Sequence, residues 1–239
     1  MKPIAVFQHT EVGAPGSVVP ILQALGREVR CIRIVDGEPV PEDASAFSGL
    51  VFMGGYMGVH DDLPWIAQEL ALIRDAAACG LPLAGHCLGS QMLAQALGGS
   101  VARHPLPEIG WQPLQTEDHP VARDWWGEFA GTEVQTFQWH ADAFQPPAEA
   151  VRIARSRHCE SQAYVLHDRH LLLQSHLEMT PALVEVSMAR NGHQLVRQHA
   201  QGNPAVSDPG DLLNDLEART SRMRSVLARL YARWVQGCA

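Results

Sequence analysis

A chain of 239 residues, 46% hydrophobic and 18% charged, is too apolar to be disordered and is long enough for one large domain or two small ones with a full core. Its 18 Lys and Arg stand against 26 Asp and Glu, a formal charge of −8 that argues against sequence-independent nucleic-acid binding and against docking on anionic lipid. Five cysteines, an odd number at wide spacing with no C-x-x-C, exclude a disulfide scaffold or a structural zinc site and point to reduced thiols in the cytoplasm.

Residues 4–7 read as a first strand. The opening MKPIAVFQHTEVG has too short an apolar run for a signal peptide, and no later run reaches the roughly 20 residues of a membrane span. A helix is predicted over 17–25, with Ser17 as its cap and Gly26 closing it, then a strand over 29–35 and a short buried strand over 50–53 ending at Gly54-Gly55. A long helix follows over 64–78, with Trp65, Leu70, Ile73 and Ala77 at helical spacing and Gly80 as its stop. Residues 81–85 read as another buried strand, and 88–97 as a helix ended by Gly98-Gly99. Such alternation predicts an α/β fold: a doubly wound, mostly parallel central sheet with helices on both faces.

The middle of the chain changes character. Residues 108–116, 134–139, 151–155, 163–167 and 171–175 are short, β-like and separated by Pro146-Pro147 and charged turns, which predicts an added antiparallel portion. Trp125-Trp126 reads as a packing feature, with a partner surface as the other reading. Helix returns over 181–190, residues 191–208 read as a polar loop, and 211–235 read as a helix with Leu212, Leu216, Met223, Leu227, Leu230 and Trp234 on one side. The domain reading is therefore 1–190, with 191–239 as a loop and C-terminal helix packed on it.

The most informative segment is Gly85-His-Cys87-Leu-Gly89, between a buried strand and a helix. It is the cysteine form of a nucleophile elbow: the glycines allow a sharp turn and close strand–helix packing, and the helix N-terminus aims its amides at the sulfur. Those amides favour a thiolate, and the Leu88 N–H can hold an oxyanion. The alternative is that Cys87 is a small buried apolar residue between structural glycines. The other four cysteines lack this setting.

A thiolate nucleophile needs a base, and the base an orienter. Gln174-Ser-His176-Leu-Glu178 closes the last predicted strand, and in extended backbone His176 and Glu178 share a face. Glu178 can then hold one ring nitrogen and turn the other toward sulfur. Such a pair alone is commonly a surface polar pair; joined to the elbow it reads as the rest of a triad.

Five segments in this order, Met53-Gly-Gly-Tyr-Met-Gly58, Asp61-Asp-Leu-Pro-Trp65, Gly85-His-Cys-Leu-Gly-Ser-Gln91, Trp139-His-Ala-Asp142 and Gln174-Ser-His-Leu-Glu178, resemble the class I glutamine amidotransferase family of the triad type. Within it the chain is similar to stand-alone members akin to the amidotransferase domain of GMP synthase. The resemblance runs from about residue 4 to residue 188 and implies a flavodoxin-like sheet. It implies that Cys87 attacks the γ-amide carbon of glutamine, that His176 moves the proton to leaving ammonia, and that Glu178 orients His176. It also implies an oxyanion hole from the Gly55 and Leu88 amides, a grip on substrate by Gln91, and backbone contacts from Ala141 and Asp142 to the α-amino and α-carboxylate ends.

The resemblance has departures. Ser175 and Leu177 flank His176 where the family signature reads Phe-His-Pro-Glu, so a looser turn is expected. His86 stands where an apolar residue is usual, and strand alternation is expected to turn it away from the site as a structural residue. Tyr56 and Met57 alter the oxyanion loop. The remaining histidines, among them His9, show no metal-ligand spacing, and Gly54-Gly55 belongs to no phosphate loop, so no metal and no cofactor are expected. The expected partners are a small-molecule substrate, L-glutamine or a γ-glutamyl compound, and a synthase on a separate chain; neither nucleic acid nor membrane is expected. The alternatives are a γ-glutamyl peptidase using the same triad and a non-catalytic module on the same fold.

Overall fold

The computed structural model describes residues 2–238 and consists of one nine-stranded sheet flanked by helices. The strands are β1 (Ile4–Gln8), β2 (Val29–Arg33), β3 (Gly49–Phe52), β4 (Leu83–His86), β5 (Ser100–Thr116), β6 (Glu133–Gln145), β7 (Val151–Arg155), β8 (Ala163–Leu166) and β9 (His170–Leu173). The helices are α1 (Val18–Ala24), α2 (Pro64–Ala78), α3 (Leu88–Ala96), α4 (Pro120–Trp126), α5 (Pro181–Ala200) and α6 (Leu216–Trp234). The strand order is β2-β1-β3-β4-β9-β8-β7-β5-β6. The first five run parallel, in a flavodoxin-like order, and the rest continue the sheet antiparallel.

Strand periodicity builds two cores. In β1, Ile4 and Val6 face α1 and α6, while Ala5 and Phe7 face α2 and α3. The inner parallel strands β1, β3, β4 and β9 are buried on both faces, which is why they read as short continuous apolar runs, whereas β2 lies at the sheet edge and is largely exposed. Trp125 and Trp126 are fully buried on α4, their indole N–H groups donating to Asp168 and to the Ile153 carbonyl at 3.1 and 2.7 Å, so packing accounts for the pair.

Three expectations need correction. Residues 191–200 are not loop: α5 continues through Asn191-Gly192 to Ala200 because buried Val184, Ser187 and Leu195 keep one helical stripe across the polar stretch. Helix α6 starts at Leu216, not 211, after Asp215 in left-handed backbone (φ 53°). The two antiparallel strands at the far end of the sheet are far longer than predicted: β5 and β6 form a ribbon paired from Ser100–Gln145 to Gln115–Glu133, with an irregularity between Arg103 and Glu108. The first half of β5, residues 100–107, is mostly exposed or half-buried and carries little apolar alternation.

Helix α6 shares the core beneath the parallel strands. Its buried residues recur at helical spacing, Met223, Val226, Leu227, Leu230, Tyr231 and Trp234, and the Trp234 indole donates to the Leu83 carbonyl of β4 at 3.0 Å. This contact holds the C-terminal helix directly under β4, the strand that leads into Cys87.

Candidate active site

Cys87 occupies the turn between β4 and α3 with φ 49° and ψ −109°, backbone that an L-residue adopts only when its surroundings enforce it. The enforcement is visible. A Cβ on Gly89 would lie 2.0 Å from the Phe52 carbonyl oxygen, and one on Gly85 would lie 2.5 Å from the Ser90 amide nitrogen. The Cys87 amide donates to the Leu173 carbonyl at 2.8 Å. The Ser90 hydroxyl lies 2.7 and 2.6 Å from the Gly85 and Leu173 carbonyls and accepts from the Leu173 amide at 2.7 Å, tying the elbow to β9.

His176 follows β9 in a short backbone pair with Phe137 of β6: the His176 amide donates to the Phe137 carbonyl at 2.8 Å, and the Phe137 amide to the His176 carbonyl at 3.3 Å. Two more anchors replace the proline missing from this turn: Leu177 is fully buried, and the Ser17 amide donates to the Glu178 carbonyl at 2.9 Å. The expected looseness is thereby corrected, since the segment is pinned from three sides. Glu178 Oε1 lies 2.6 Å from His176 Nδ1, which leaves Nε2 of the ring as the nitrogen free for chemistry. Burial opposes charge on His176, but the Glu178 carboxylate and the Cys87 sulfur outweigh it and hold the imidazole well above its usual pKa. Burial also opposes ionisation of Glu178, and there His176 and His86 prevail, holding the carboxyl well below the usual range.

A cavity of about 310 Å³ opens onto this constellation, and its wall includes Gly55, Cys87, Gln91, Ala141, Asp142 and His176. Of the residues singled out from sequence, Leu88 and Glu178 lie outside the wall. Glu178 stands behind His176, and the Leu88 side chain is buried beside Gly55, where a Cβ on Gly55 would sit 3.1 Å from Leu88 Cδ2. Gln91 Nε2 donates to the Asp142 carbonyl at 3.1 Å, so the α3 and β6 parts of the wall are joined directly.

Three buried histidines brace the site, and sequence reasoning gave none of them this role. His140 lies 3.0 Å from both the Asp142 carbonyl and Glu108 Oε2. Fully buried Glu108 also accepts from Ser156 and Gln162 at 2.6 and 2.5 Å, which fixes the backbone at Ala141–Asp142 from behind. His9 lies 3.0 Å from both the Met53 carbonyl and Glu69 Oε2 and stacks on Trp65, fixing the end of β3 where Gly54-Gly55 begins. His86 does point away from the cavity, as strand alternation requires, but it meets Glu178 Oε2 at 2.9 Å. Their partners lie 32, 60 and 92 residues away in sequence, and a lone histidine carries no signal of such a partner.

The family model for glutamine amidotransferase class-I matches residues 16–195. The chain belongs to this family. Among similar proteins, the glutamine amidotransferase-like protein YfeJ of Salmonella typhimurium is 27% identical over 81% of this chain and 82% of its own length. Gamma-glutamyl peptidase 4 of Arabidopsis thaliana is 27% identical over 67% of this chain and 65% of its own. A GMP synthase [glutamine-hydrolyzing] of Aeropyrum pernix is 30% identical over 75% of this chain, which spans only 32% of that longer protein. A crystal structure of a glutamine amido transferase from Methylobacillus flagellatus superposes with a TM-score of 0.94 at 36% identity, covering 100% of this chain and 96% of that one. The class I fold and the likeness to the amidotransferase part of GMP synthase are thus established. Among the described residues, no helix is long and apolar enough to cross a membrane.

Proposed function

We propose that this class I amidotransferase hydrolyses the γ-amide of L-glutamine with Cys87 as nucleophile. The observation that carries the reading is the Cys87 elbow together with a His176–Glu178 pair joined at 2.6 Å, with Cys87 and His176 both lining a cavity of the size of a small ligand. The thiolate attacks the amide carbon, and the backbone N–H groups of Gly55 and Leu88 stabilise the tetrahedral oxyanion. His176 Nε2–H gives its proton to the departing nitrogen, and ammonia leaves a γ-glutamyl thioester. His176 then takes a proton from water, hydroxide adds to the thioester, and glutamate leaves with the thiol restored. Gln91, Ala141 and Asp142 hold the amino-acid end of the substrate. The ammonia passes to an acceptor on a separate synthase chain.

A second reading has its own support. The cavity wall also includes Asn191, Gln194 and Arg197 of α5, polar groups that ammonia alone does not require, and this favours a γ-glutamyl amide with a larger leaving amine. Glutamate release from L-glutamine and from γ-glutamyl dipeptides, measured for wild type beside Cys87→Ala, separates the two readings. We expect release that disappears in Cys87→Ala. Release that survives Cys87→Ala overturns the nucleophile assignment, and release confined to dipeptides selects the peptidase.

A further inference from the structure

Behind the triad the hydrogen-bond chain does not stop at Glu178. Its carboxylate is almost fully buried, and its two oxygens face two different histidines: Oε1 meets His176 Nδ1 at 2.6 Å, and Oε2 meets His86 Nδ1 at 2.9 Å. An ionised carboxylate only accepts, so the nitrogen of His86 that faces it carries the hydrogen. The other nitrogen, Nε2, lies 3.0 Å from the Tyr231 hydroxyl of α6. Burial, with Glu178 and Cys238 nearby, keeps that phenol protonated, so it can donate to Nε2 and fix the His86 tautomer. His86 and Tyr231 are themselves fully buried, and their rings lie nearly parallel, 9° apart.

We propose that His86 and Tyr231 are positioning residues that hold Glu178 from behind, so that its Oε1 is always presented to His176. The proposal rests on the reading of Cys87, His176 and Glu178 as a triad. A buried carboxylate oxygen without a donor is costly, and the carboxyl relieves that cost by rotating about its last side-chain bond or by taking up a proton. Either change weakens its grip on His176 and with it the thiolate. His86 supplies the missing donor, and Tyr231 ensures that the donor is on the correct nitrogen. Through Tyr231 the relay also gives the C-terminal helix a direct hold on the reacting centre.

Three variants test this: His86→Leu removes both ring nitrogens at similar volume, His86→Asn keeps a donor where Nδ1 stood, and Tyr231→Phe removes one hydroxyl. For His86→Leu we expect kcat on the γ-glutamyl substrate to fall by about 10- to 100-fold with KM unchanged, by analogy with the loss of a hydrogen-bond partner behind a metal-ligating side chain. His86→Asn is expected to recover most of that loss, and Tyr231→Phe to lose less than His86→Leu. The alkylation rate of Cys87 by iodoacetamide, read by mass spectrometry, is expected to fall and recover in the same order. A fall in kcat of less than about fivefold in His86→Leu overturns the proposal. So does a His86→Asn protein as slow as His86→Leu at an unchanged melting temperature, since packing alone then explains the loss. If His86→Leu does not fold, His86→Asn and Tyr231→Phe decide, and a slow His86→Asn beside a fully active Tyr231→Phe overturns the relay. The two levels fail separately. Wild type without Cys87-dependent turnover sinks the functional reading, whereas unaltered Cys87 alkylation across the three variants sinks the relay even where turnover stands.

Discussion

Gly54 has no room for a side chain. A Cβ there would lie 3.0 Å from His176 Cε1 and 3.5 Å from Cys87 Cβ. The ring cannot retreat, because Glu178 holds Nδ1 at 2.6 Å and the backbone is paired with Phe137. Gly54→Ala is therefore expected to leave the fold intact and to lower kcat by about tenfold or more, since small displacements of reacting groups are expensive. Wild-type turnover in that variant, with an unchanged far-ultraviolet circular dichroism spectrum, would contradict the geometry. The cysteines give a second prediction. Cys159 and Cys238 are buried, and burial is the main cause that pushes each thiol up to about 12. In native protein at about pH 8, iodoacetamide should reach cavity-lining Cys87 and leave these two unmodified, because the thiolate is the reacting form. Peptide mass spectrometry reads this directly, and equal labelling of all three would refute it. The segments Gly85 to Gln91, Trp139 to Asp142 and Gln174 to Glu178 stood out in the sequence because their motifs are local, whereas Asn191, Gln194 and Arg197 of α5 also line the cavity and carry no such motif. The braces behind the site did not stand out, because Glu69, Glu108 and Tyr231 gain their meaning only from partners that folding brings in.

At the scale of elements, the site depends on how closely α3 approaches β3. Gly89 packs on the Phe52 carbonyl where a Cβ would stand at 2.0 Å, and backbone there cannot yield without moving the helix. Gly89→Ala is expected to destabilise the protein by about 2–3 kcal/mol, the upper range for overpacking, and to displace Cys87 with it. Urea unfolding gives the stability change, and a variant as stable as wild type would show that α3 can slide freely. Elements with a single strong pattern were legible: α2 spans 64–78 as predicted, ending at Ala78 with Gly80 in left-handed backbone beyond it. Elements whose pattern is diluted were not. In α5 the buried stripe persists, but Asn191, Gly192 and His193 hide it, and the outer half of β5, interrupted by Pro105 and Pro107, looks like loop until Ser100–Arg103 pair with β6.

For the whole molecule, the two halves of the sheet meet at β9, whose C-terminal end leads to His176 and whose N-terminal residue is His170. His170 is buried, and no partner for its Nδ1 exists among the described residues. Burial, together with the cationic neighbours His167 and Arg169, lowers its pKa to about 4. In the unfolded chain the same group takes its proton near 6.5. Between these values the unfolded state binds more protons than the folded one, so stability is lost as pH falls from about 6.5 to about 4. The difference between these two values corresponds to about 3 kcal/mol, a large share of the roughly 5–15 kcal/mol that holds a domain together. The His176–Glu178 pair does not mask this effect: His176, held high in the folded state, contributes fully below about pH 6.5, and Glu178, held low, contributes fully above about pH 4.3. His170→Leu removes the titrating group and leaves every other one in place. Its stability relative to wild type should therefore improve by about 3 kcal/mol between about pH 7 and pH 4, measured by urea unfolding at each pH. Parallel stability curves for the two proteins would mean that the β8–β9 turn opens enough to hydrate His170 in the native state, and that the acid weakness of this fold lies elsewhere in the sheet.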